Sequence, residues 1–163
     1  MTRILLLSDT HGYMNETILQ RASEVDQVWH AGDIGNLSVT DALRGVAPVT
    51  AVYGNIDGAD IRGEFPLNQN FTCDGIRVLM THIGGYPGRY LPTLRQQIRD
   101  LSPEVVICGH SHILKVQRDQ KHQHIHLNPG AIGIHGFHQV RTMLRFSIDK
   151  GKLLDMEVLE YKR

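Results

Sequence analysis

The stretch ILLLSDTH at residues 4–11 joins four aliphatic residues to a polar segment that contains Asp9 and His11. A short, uninterrupted apolar run is typical of a strand buried on both faces, as in a parallel sheet covered by helices. In such sheets, ligands bind beyond the carboxyl ends of the strands. The stretch therefore predicts a central strand at residues 4–7 and the start of a ligand site directly after it.

Strand and helix patterns alternate through the rest of the first half. Asn15 can cap a first helix, and Ser38 is the expected cap of a second, short helix. Residues 25–30 and 49–53 have the composition of a second and a third strand. This βαβαβ order favours a largely parallel sheet.

The second half has antiparallel patterns. Asp74-Gly75 and the segment 149–152 are turns between apolar segments, so each predicts a hairpin. Between the hairpins, residues 91–101 have the periodicity of an amphipathic helix, and residues 105–108 form a buried strand. Parallel units followed by antiparallel ones predict an α/β (α+β) fold of four layers, αββα, in which two mixed β-sheets are flanked by helices.

The composition indicates one globular domain over residues 1–163, since 41% of the residues are hydrophobic and 21% are charged. The 17 basic side chains balance the 17 acidic ones, which argues against nucleic acid or anionic membrane as a partner. No apolar run is long enough for a membrane span, and the first residues lack a signal cleavage site. Two cysteines form no disulfide framework, which favours a cytoplasmic location. Association into a homo-oligomer stays open.

Each predicted core strand ends in a side chain that can bind a metal. The donors number seven: Asp9, His11, Asp33, Asn55, His82, His110 and His112. Because the ends of neighbouring strands lie side by side, donors far apart in sequence are expected to converge. A role in a turn or a helix cap could explain any one of these residues. It does not explain why all five successive strand ends carry a residue that can bind a metal.

The number and type of donors predict two cations. Seven donors exceed the four ligands of a tetrahedral zinc site, and Asp33 is the carboxylate expected to bridge two ions. Imidazole, carboxylate and amide ligands without thiolate favour Mn²⁺, with Fe²⁺, Zn²⁺, Ni²⁺ or Co²⁺ as alternatives. Two cations about 3.5–4 Å apart suit in-line displacement at phosphorus.

The order of these motifs resembles the calcineurin-like metallophosphoesterase superfamily: Asp9-x-His11, Gly32-Asp33, Gly54-Asn55-x-Asp57, His82 and Gly109-His110-Ser111-His112. The chain length, the late hairpins and Asn128-Pro129-Gly130 resemble its small, single-domain YfcE-like phosphodiesterases. The resemblance implies a β-sandwich flanked by helices. It also implies one metal held by Asp9, His11, Asp33 and His112, and another held by Asp33, Asn55, His82 and His110.

Two positions depart from the pattern of many relatives. Ile56 stands where they carry a His that is thought to protonate the leaving group. A positioned acid contributes about 10²–10⁴-fold, so weak activity on poor leaving groups is expected. Asn36 stands where an Asp is common, but this is not a ligand position. Asp57 is expected to orient a ligand imidazole through a hydrogen bond, or to serve only as a turn carboxylate.

The sequence therefore predicts a metal-dependent phosphoesterase, and specifically a phosphodiesterase, a hydrolase of phosphoric diesters. A hydroxide bridging the two metals would attack the phosphoester substrate in line. The metals, together with Asn55 and a His such as His110, would bind the developing charge on the phosphoryl oxygens beside the bridging Asp33. The alternatives are a phosphomonoesterase and a non-catalytic scaffold, like the metallophosphoesterase-like subunit of retromer. The complete ligand set favours the enzyme.

The sequence predicts the roles of the six further histidines less closely. His30 is expected to be buried and hydrogen bonded. The alternating set of His122, His124 and His126 is expected on an exposed strand face, with an extra metal or joint protonation as alternatives. His135 and His138 are expected on a surface loop, with contact to substrate phosphate as the alternative.

Overall fold

The computed structural model describes all 163 residues, which form ten strands and four helices. The strands are β1 (Thr2–Leu7), β2 (Gln27–His30), β3 (Val49–Ala51), β4 (Asn68–Cys73), β5 (Ile76–Thr81), β6 (Val105–Ile107), β7 (Leu114–Asp119), β8 (His124–Pro129), β9 (Val140–Asp149) and β10 (Lys152–Lys162). The helices are α1 (Glu16–Ser23), α2 (Leu37–Arg44), α3 (Ala59–Glu64) and α4 (Pro92–Leu101). None of the helices is long and apolar enough to cross a membrane.

The strands form two mixed sheets. In the first sheet the order is β10-β9-β1-β2-β3, with β1, β2 and β3 parallel and β9 antiparallel to β1. In the second sheet the order is β4-β5-β6-β8-β7, with β5, β6 and β8 parallel between two antiparallel edge strands. Both predicted hairpins are present.

Strand β1 lies between two hydrophobic layers. Ile4 and Leu6 belong to the core between the two sheets, while Leu5 and Leu7 belong to the core under helices α1, α2 and α3. All four side chains are fully buried, and burying a side chain of this size contributes about 1.5–3 kcal/mol. Successive strand side chains point to opposite faces, so an uninterrupted aliphatic run is what this position requires.

Helix α4 covers the outer face of the second sheet. Its residues Leu94 and Ile98 pack with Leu79 of β5 and Val106 of β6, whereas Val78 faces the other sheet. The layers are therefore helix, sheet, sheet and helix. The predicted four-layer sandwich of two mixed sheets is confirmed.

The N-terminal caps of the helices match the predicted ones in part. Asn15 caps α1, and its Oδ1 accepts a hydrogen bond from Ile18 N at 2.9 Å. The cap of α2 is Asn36, whose Oδ1 accepts from Ser38 N at 2.8 Å, so the prediction of Ser38 as the cap was wrong. Helix α3 was not predicted, because only Ile61 among its six residues is buried and no amphipathic pattern results.

Candidate metal centre

The seven predicted donors lie in five loops, each following the carboxyl end of a strand. Asp9 and His11 follow β1, Asp33 follows β2, and Asn55 follows β3. In the second sheet, His82 follows β5, and His110 and His112 follow β6. The convergence expected from parallel strands is observed, because the two sheets end beside each other at this edge of the sandwich.

The imidazole and carboxylate donors form two groups. The ligand atoms of Asp9, His11 and His112 lie within 4.8 Å of one another, and so do those of Asp33, His82 and His110. Within the first group, His112 Nε2 lies 3.2 Å from Asp9 Oδ1. Asn55 lines the same cavity as Asp33 and His110. Each group falls within one of the two ligand sets that the family resemblance implies, without Asp33 in the first and without Asn55 in the second.

Asp33 connects the two groups through one oxygen atom. Its Oδ2 lies 3.1 Å from His82 Nε2 in its own group and 3.4 Å from His11 Nε2 in the other. Its Oδ1 accepts a hydrogen bond from the Ile56 backbone N–H at 3.1 Å, which holds the carboxylate in this orientation. This is the geometry expected of a bridging carboxylate.

Three polar atoms at the centre are buried without a hydrogen-bond partner: Asp9 Oδ1, His11 Nε2 and His82 Nε2. Unpartnered buried polar atoms are uncommon in folded proteins. All three belong to the predicted ligand sets and point toward one another, with separations of 3.8 Å between Asp9 Oδ1 and each imidazole. The residues therefore fit divalent cations, which would supply the missing partners.

Hydrogen bonds orient the ligand atoms. His82 Nδ1 lies 2.7 Å from the Ala31 carbonyl, which can only accept, so Nδ1 donates this hydrogen bond and Nε2 faces the centre. Asp9 Oδ2 accepts from Ser8 Oγ at 2.6 Å and from His110 N at 3.1 Å, which leaves Oδ1 free. These hydrogen bonds therefore leave His82 Nε2 and Asp9 Oδ1 as the atoms that face the centre.

Five of the seven donors have a left-handed backbone. Their φ angles are 55° at Asp9, 45° at His11, 55° at Asp33, 71° at His110 and 62° at His112. Positive φ is unfavourable for residues with a β-carbon, at about 1–3 kcal/mol each, and such residues concentrate at functional sites. The surrounding fold therefore holds these loops in a conformation that they would not adopt alone.

Two glycines allow the backbone to approach the carboxylates. A β-carbon at Gly54 would collide with Asp33 Oδ1 and with the Asp33 backbone N. A β-carbon at Gly109 would collide with Ser8 Oγ and lie 3.0 Å from Asp9 Oδ2. Close packing against the carboxylate loops therefore explains why glycine occupies positions 54 and 109, in the third and fifth motifs.

The electrostatics of the centre keep the carboxylates ionised. Burial acts to raise the pKa of Asp9 and of Asp33, but the neighbouring histidines outweigh it, and both values fall well below the usual range. The Asp33 carboxylate, followed by that of Asp9, raises the pKa of His11 to about 9. A bound cation therefore has to displace a proton from His11 at neutral pH.

A cavity of about 560 Å³ opens over the two groups. The structure brings two loop histidines into its lining: the His135 ring stacks on His11 at 4.8 Å, and His138 meets His112 edge to face at 5.1 Å. The expectation that His135 and His138 lie only on a surface loop was thus incomplete, because this loop also lines the cavity. Their place after the turn at residues 128–130 was the only sequence signal for this proximity.

Asp57 supports the centre differently from the expectation. Its carboxylate accepts hydrogen bonds from three backbone N–H groups, those of Ile34 (3.1 Å), Gly35 (2.8 Å) and Gly54 (2.8 Å), and from no imidazole. The predicted role of orienting a ligand imidazole was therefore wrong. Asp57 instead ties the Asp33 loop to the Asn55 loop, and is 3% exposed.

The remaining histidines lie outside the two ligand groups. His30 is fully buried, and it accepts from Gly32 N through Nδ1 and contacts Thr10 Oγ1 through Nε2, as expected. His124 and His126 are each 1% exposed and share a hydrogen-bonding partner in Tyr90 Oη. His122 precedes β8 and lies partly buried, with its Nδ1 3.0 Å from Asp119 Oδ2, so the expectation of an exposed strand face was wrong. None of these histidines contributes to a group of metal-binding side chains.

The calcineurin-like phosphoesterase superfamily domain matches residues 2–151, and the chain therefore belongs to this family. The resemblance that the motifs carry is confirmed. Family membership and the two ligand groups together support a metal-dependent phosphoesterase.

Named relatives and solved structures agree with this family. A "Probable metallophosphoesterase" of Methanothermobacter thermautotrophicus is 29% identical over 161 residues, covering 94% of this chain and 90% of the relative. Vps29 of Entamoeba histolytica complexed with Zn²⁺ superposes with a TM-score of 0.75 at 17% identity, over 98% of both chains. A novel archaeal phosphodiesterase gives a TM-score of 0.71 at 24% identity, over 96% of this chain and 99% of its own. At these identities, the two solved structures establish similarity of fold.

Proposed function

We propose that this protein hydrolyses phosphodiesters with two divalent cations, preferentially Mn²⁺. One cation is held by Asp9, His11, Asp33 and His112, and the other by Asp33, Asn55, His82 and His110. The position of Asp33 Oδ2 between His11 and His82 is the observation that carries the proposal. When bound, two such cations stabilise the negative charge that develops on a phosphoryl group and acidify the attacking water.

The side chains around the cations position the substrate. The Asn55 amide and the His110 imidazole line the open cavity and can donate hydrogen bonds to phosphoryl oxygens. The Ile56 N–H holds Asp33 in place, but the Ile56 side chain has no proton to give to a leaving group. Good leaving groups should therefore react best.

Apart from the cations, the side chains of the cavity give a monoester no advantage over a diester. A diester carries one negative charge at neutral pH and a monoester carries close to two. The residues that line the cavity include neither Lys nor Arg, so the second charge of a monoester has no cationic side chain to meet it there. The fold shared with an archaeal phosphodiesterase is consistent with this choice.

The test compares two substrates on one preparation. The purified protein is stripped of metal, reloaded singly with Mn²⁺, Fe²⁺, Zn²⁺, Ni²⁺ or Co²⁺, and assayed with bis(4-nitrophenyl) phosphate and 4-nitrophenyl phosphate. We expect the highest kcat/KM for the diester with Mn²⁺. A higher value for the monoester would reassign the enzyme as a phosphomonoesterase.

The second candidate function is a non-catalytic scaffold. The similarity of fold to Vps29 is the observation that favours it. The two candidates differ in the same assay, because a scaffold would bind metal without turning over either ester. Absence of turnover with all five metals would support the scaffold.

A further inference from the structure

Two of the cavities at the metal centre meet beside His110. The central cavity of about 560 Å³ and a neighbouring cavity of about 430 Å³ have His110, Ser111 and Ile113 in common. Both volumes fall in the range of about 300–1,000 Å³ that is typical of small-molecule sites. A phosphoryl group beside His110 therefore has room for a substituent on either side, as a phosphodiester requires.

Three apolar residues at the edge of the central cavity are exposed. The side chain of Phe137 is 102% exposed, that of Ile113 is 64% exposed and that of Ile56 is 46% exposed. A fully exposed phenyl ring beside a binding cavity has both faces free to stack on a planar group. With no Lys or Arg in the lining, this side of the centre suits an uncharged ring.

The neighbouring cavity has the opposite character. Lys115 is the only residue with a formal charge that lines it, and no Asp or Glu lines it. The Lys115 ammonium group lies 4.8 Å from the centre of the Tyr86 ring, which also lines this cavity. A cation held over an aromatic ring without a carboxylate beside it can pair with an anion that enters the cavity.

We propose that the two cavities hold the two ester arms of a substrate, with a planar apolar ring against Phe137 and a second anionic group, phosphate or carboxylate, beside Lys115. This assignment rests on the proposed phosphodiesterase function and names its substrate class. The substrates are asymmetric diesters of phosphate, with an uncharged ring on one arm and an anion on the other.

Binding of slowly reacting diesters tests the two cavities separately. Calorimetry with the full-length, Mn²⁺-loaded protein compares benzyl ethyl phosphate with its analogues that end in 2-phosphooxyethyl or 2-carboxyethyl. We expect the anionic arm to lower Kd about fivefold, the effect of one solvent-exposed ion pair. Comparison of the phosphate and carboxylate analogues identifies the preferred anion. Replacing the benzyl group with ethyl should raise Kd about five- to tenfold, the effect of a lost stacking contact.

Two variants assign each effect to its residue. Lys115→Gln should abolish the preference for the anionic arm and leave the Kd of benzyl ethyl phosphate within about twofold, a shift that the loss of one exposed charge does not exceed. Phe137→Ala should abolish the preference for benzyl over ethyl. Lys152→Gln and Leu154→Ala are matched controls, because both residues lie on β10 and line neither cavity.

The outcomes separate this proposal from the proposed function. Equal Kd values for all the diesters, or a preference for the anionic arm that survives in Lys115→Gln, would overturn the assignment of the cavities. The latter result would mean that the second anion binds at the cations themselves. Lack of turnover in the nitrophenyl assay, together with retained preferences in calorimetry, would instead remove the catalytic function and leave a two-armed binding site.

Discussion

His82 Nε2 lies 3.1 Å from Oδ2 of Asp33, while His82 Nδ1 is held by the Ala31 carbonyl at 2.7 Å. Because Asp33 also faces His11, Asp33→Asn should disturb both cation sites. We expect the metal content to fall from two ions per chain to at most one, and kcat/KM to fall about 10²-fold or more. Elemental analysis and the nitrophenyl diester assay measure the two effects. Asp41→Asn, an exposed residue of α2, is the control. Two tightly bound ions in Asp33→Asn would refute the bridging role.

Gly54→Ala should damage the centre by steric contact alone. Its new β-carbon would collide with the Asp33 carboxylate, whereas Gly63→Ala adds a β-carbon with nothing within 4 Å. We expect Mn²⁺ affinity to fall at least tenfold in Gly54→Ala, since outer contacts of ligands are worth about 10–100-fold in metal affinity. Gly63→Ala, within α3, should bind Mn²⁺ normally and be slightly more stable. Equal Mn²⁺ affinities in the two variants would show that close packing at Gly54 does not position Asp33.

Asp57→Ala should lower the stability of the metal-free protein. The substitution leaves three backbone N–H groups without their carboxylate partner, at positions that are buried or partly buried. We expect the free energy of unfolding in urea to fall by about 2–4 kcal/mol. Asp41→Ala should change it by less than about 0.5 kcal/mol, as is usual for surface positions. A small effect of Asp57→Ala would indicate that water replaces the carboxylate.

Ile56→His should create the missing general acid. The Ile56 side chain is 46% exposed in the central cavity, and its backbone N–H contact with Asp33 survives substitution. We expect kcat for an alkyl 4-nitrobenzyl phosphate, which has poor leaving groups, to rise about 10²-fold. The rate with a nitrophenolate leaving group should change little. Ile56→Gln, which keeps a polar side chain without an acid, is the control, and an equal gain in both variants would argue against proton donation.

The stability of the protein should decrease between about pH 6.5 and pH 4. Burial lowers the pKa of His124 and of His126 to about 4, whereas an unfolded chain has histidines near 6.5. Over this interval the unfolded chain binds protons that the folded chain does not, so acid favours unfolding. His126→Gln should reduce the number of protons taken up on unfolding near pH 5.3 by about one. The slope of unfolding free energy against pH would then fall by about 1.4 kcal/mol per pH unit. An unchanged slope in His126→Gln would mean that His126 is protonated in the folded protein.

Much of the fold could be predicted from local sequence. The aliphatic run at residues 4–7 required burial on two faces, and the turn at Asp74-Gly75 specified a hairpin. Helix α3 was missed, since a helix with a single buried side chain has no periodicity to detect. The burial of His124 and His126 was missed as well, because their partner Tyr90 lies more than thirty residues away in the chain.

The sequence by itself determined which side chains are able to bind a metal. They are seven oxygen and nitrogen donors, each placed after a strand, in the order of one family. The tertiary structure alone decided how those donors are aimed. It shows five of them in the left-handed backbone region, Asp33 Oδ2 between two imidazoles, and His135 stacked on His11. The physical reason is that donor type is a property of each residue. Donor direction depends on hydrogen bonds and close contacts between loops that only the packed sheets bring together.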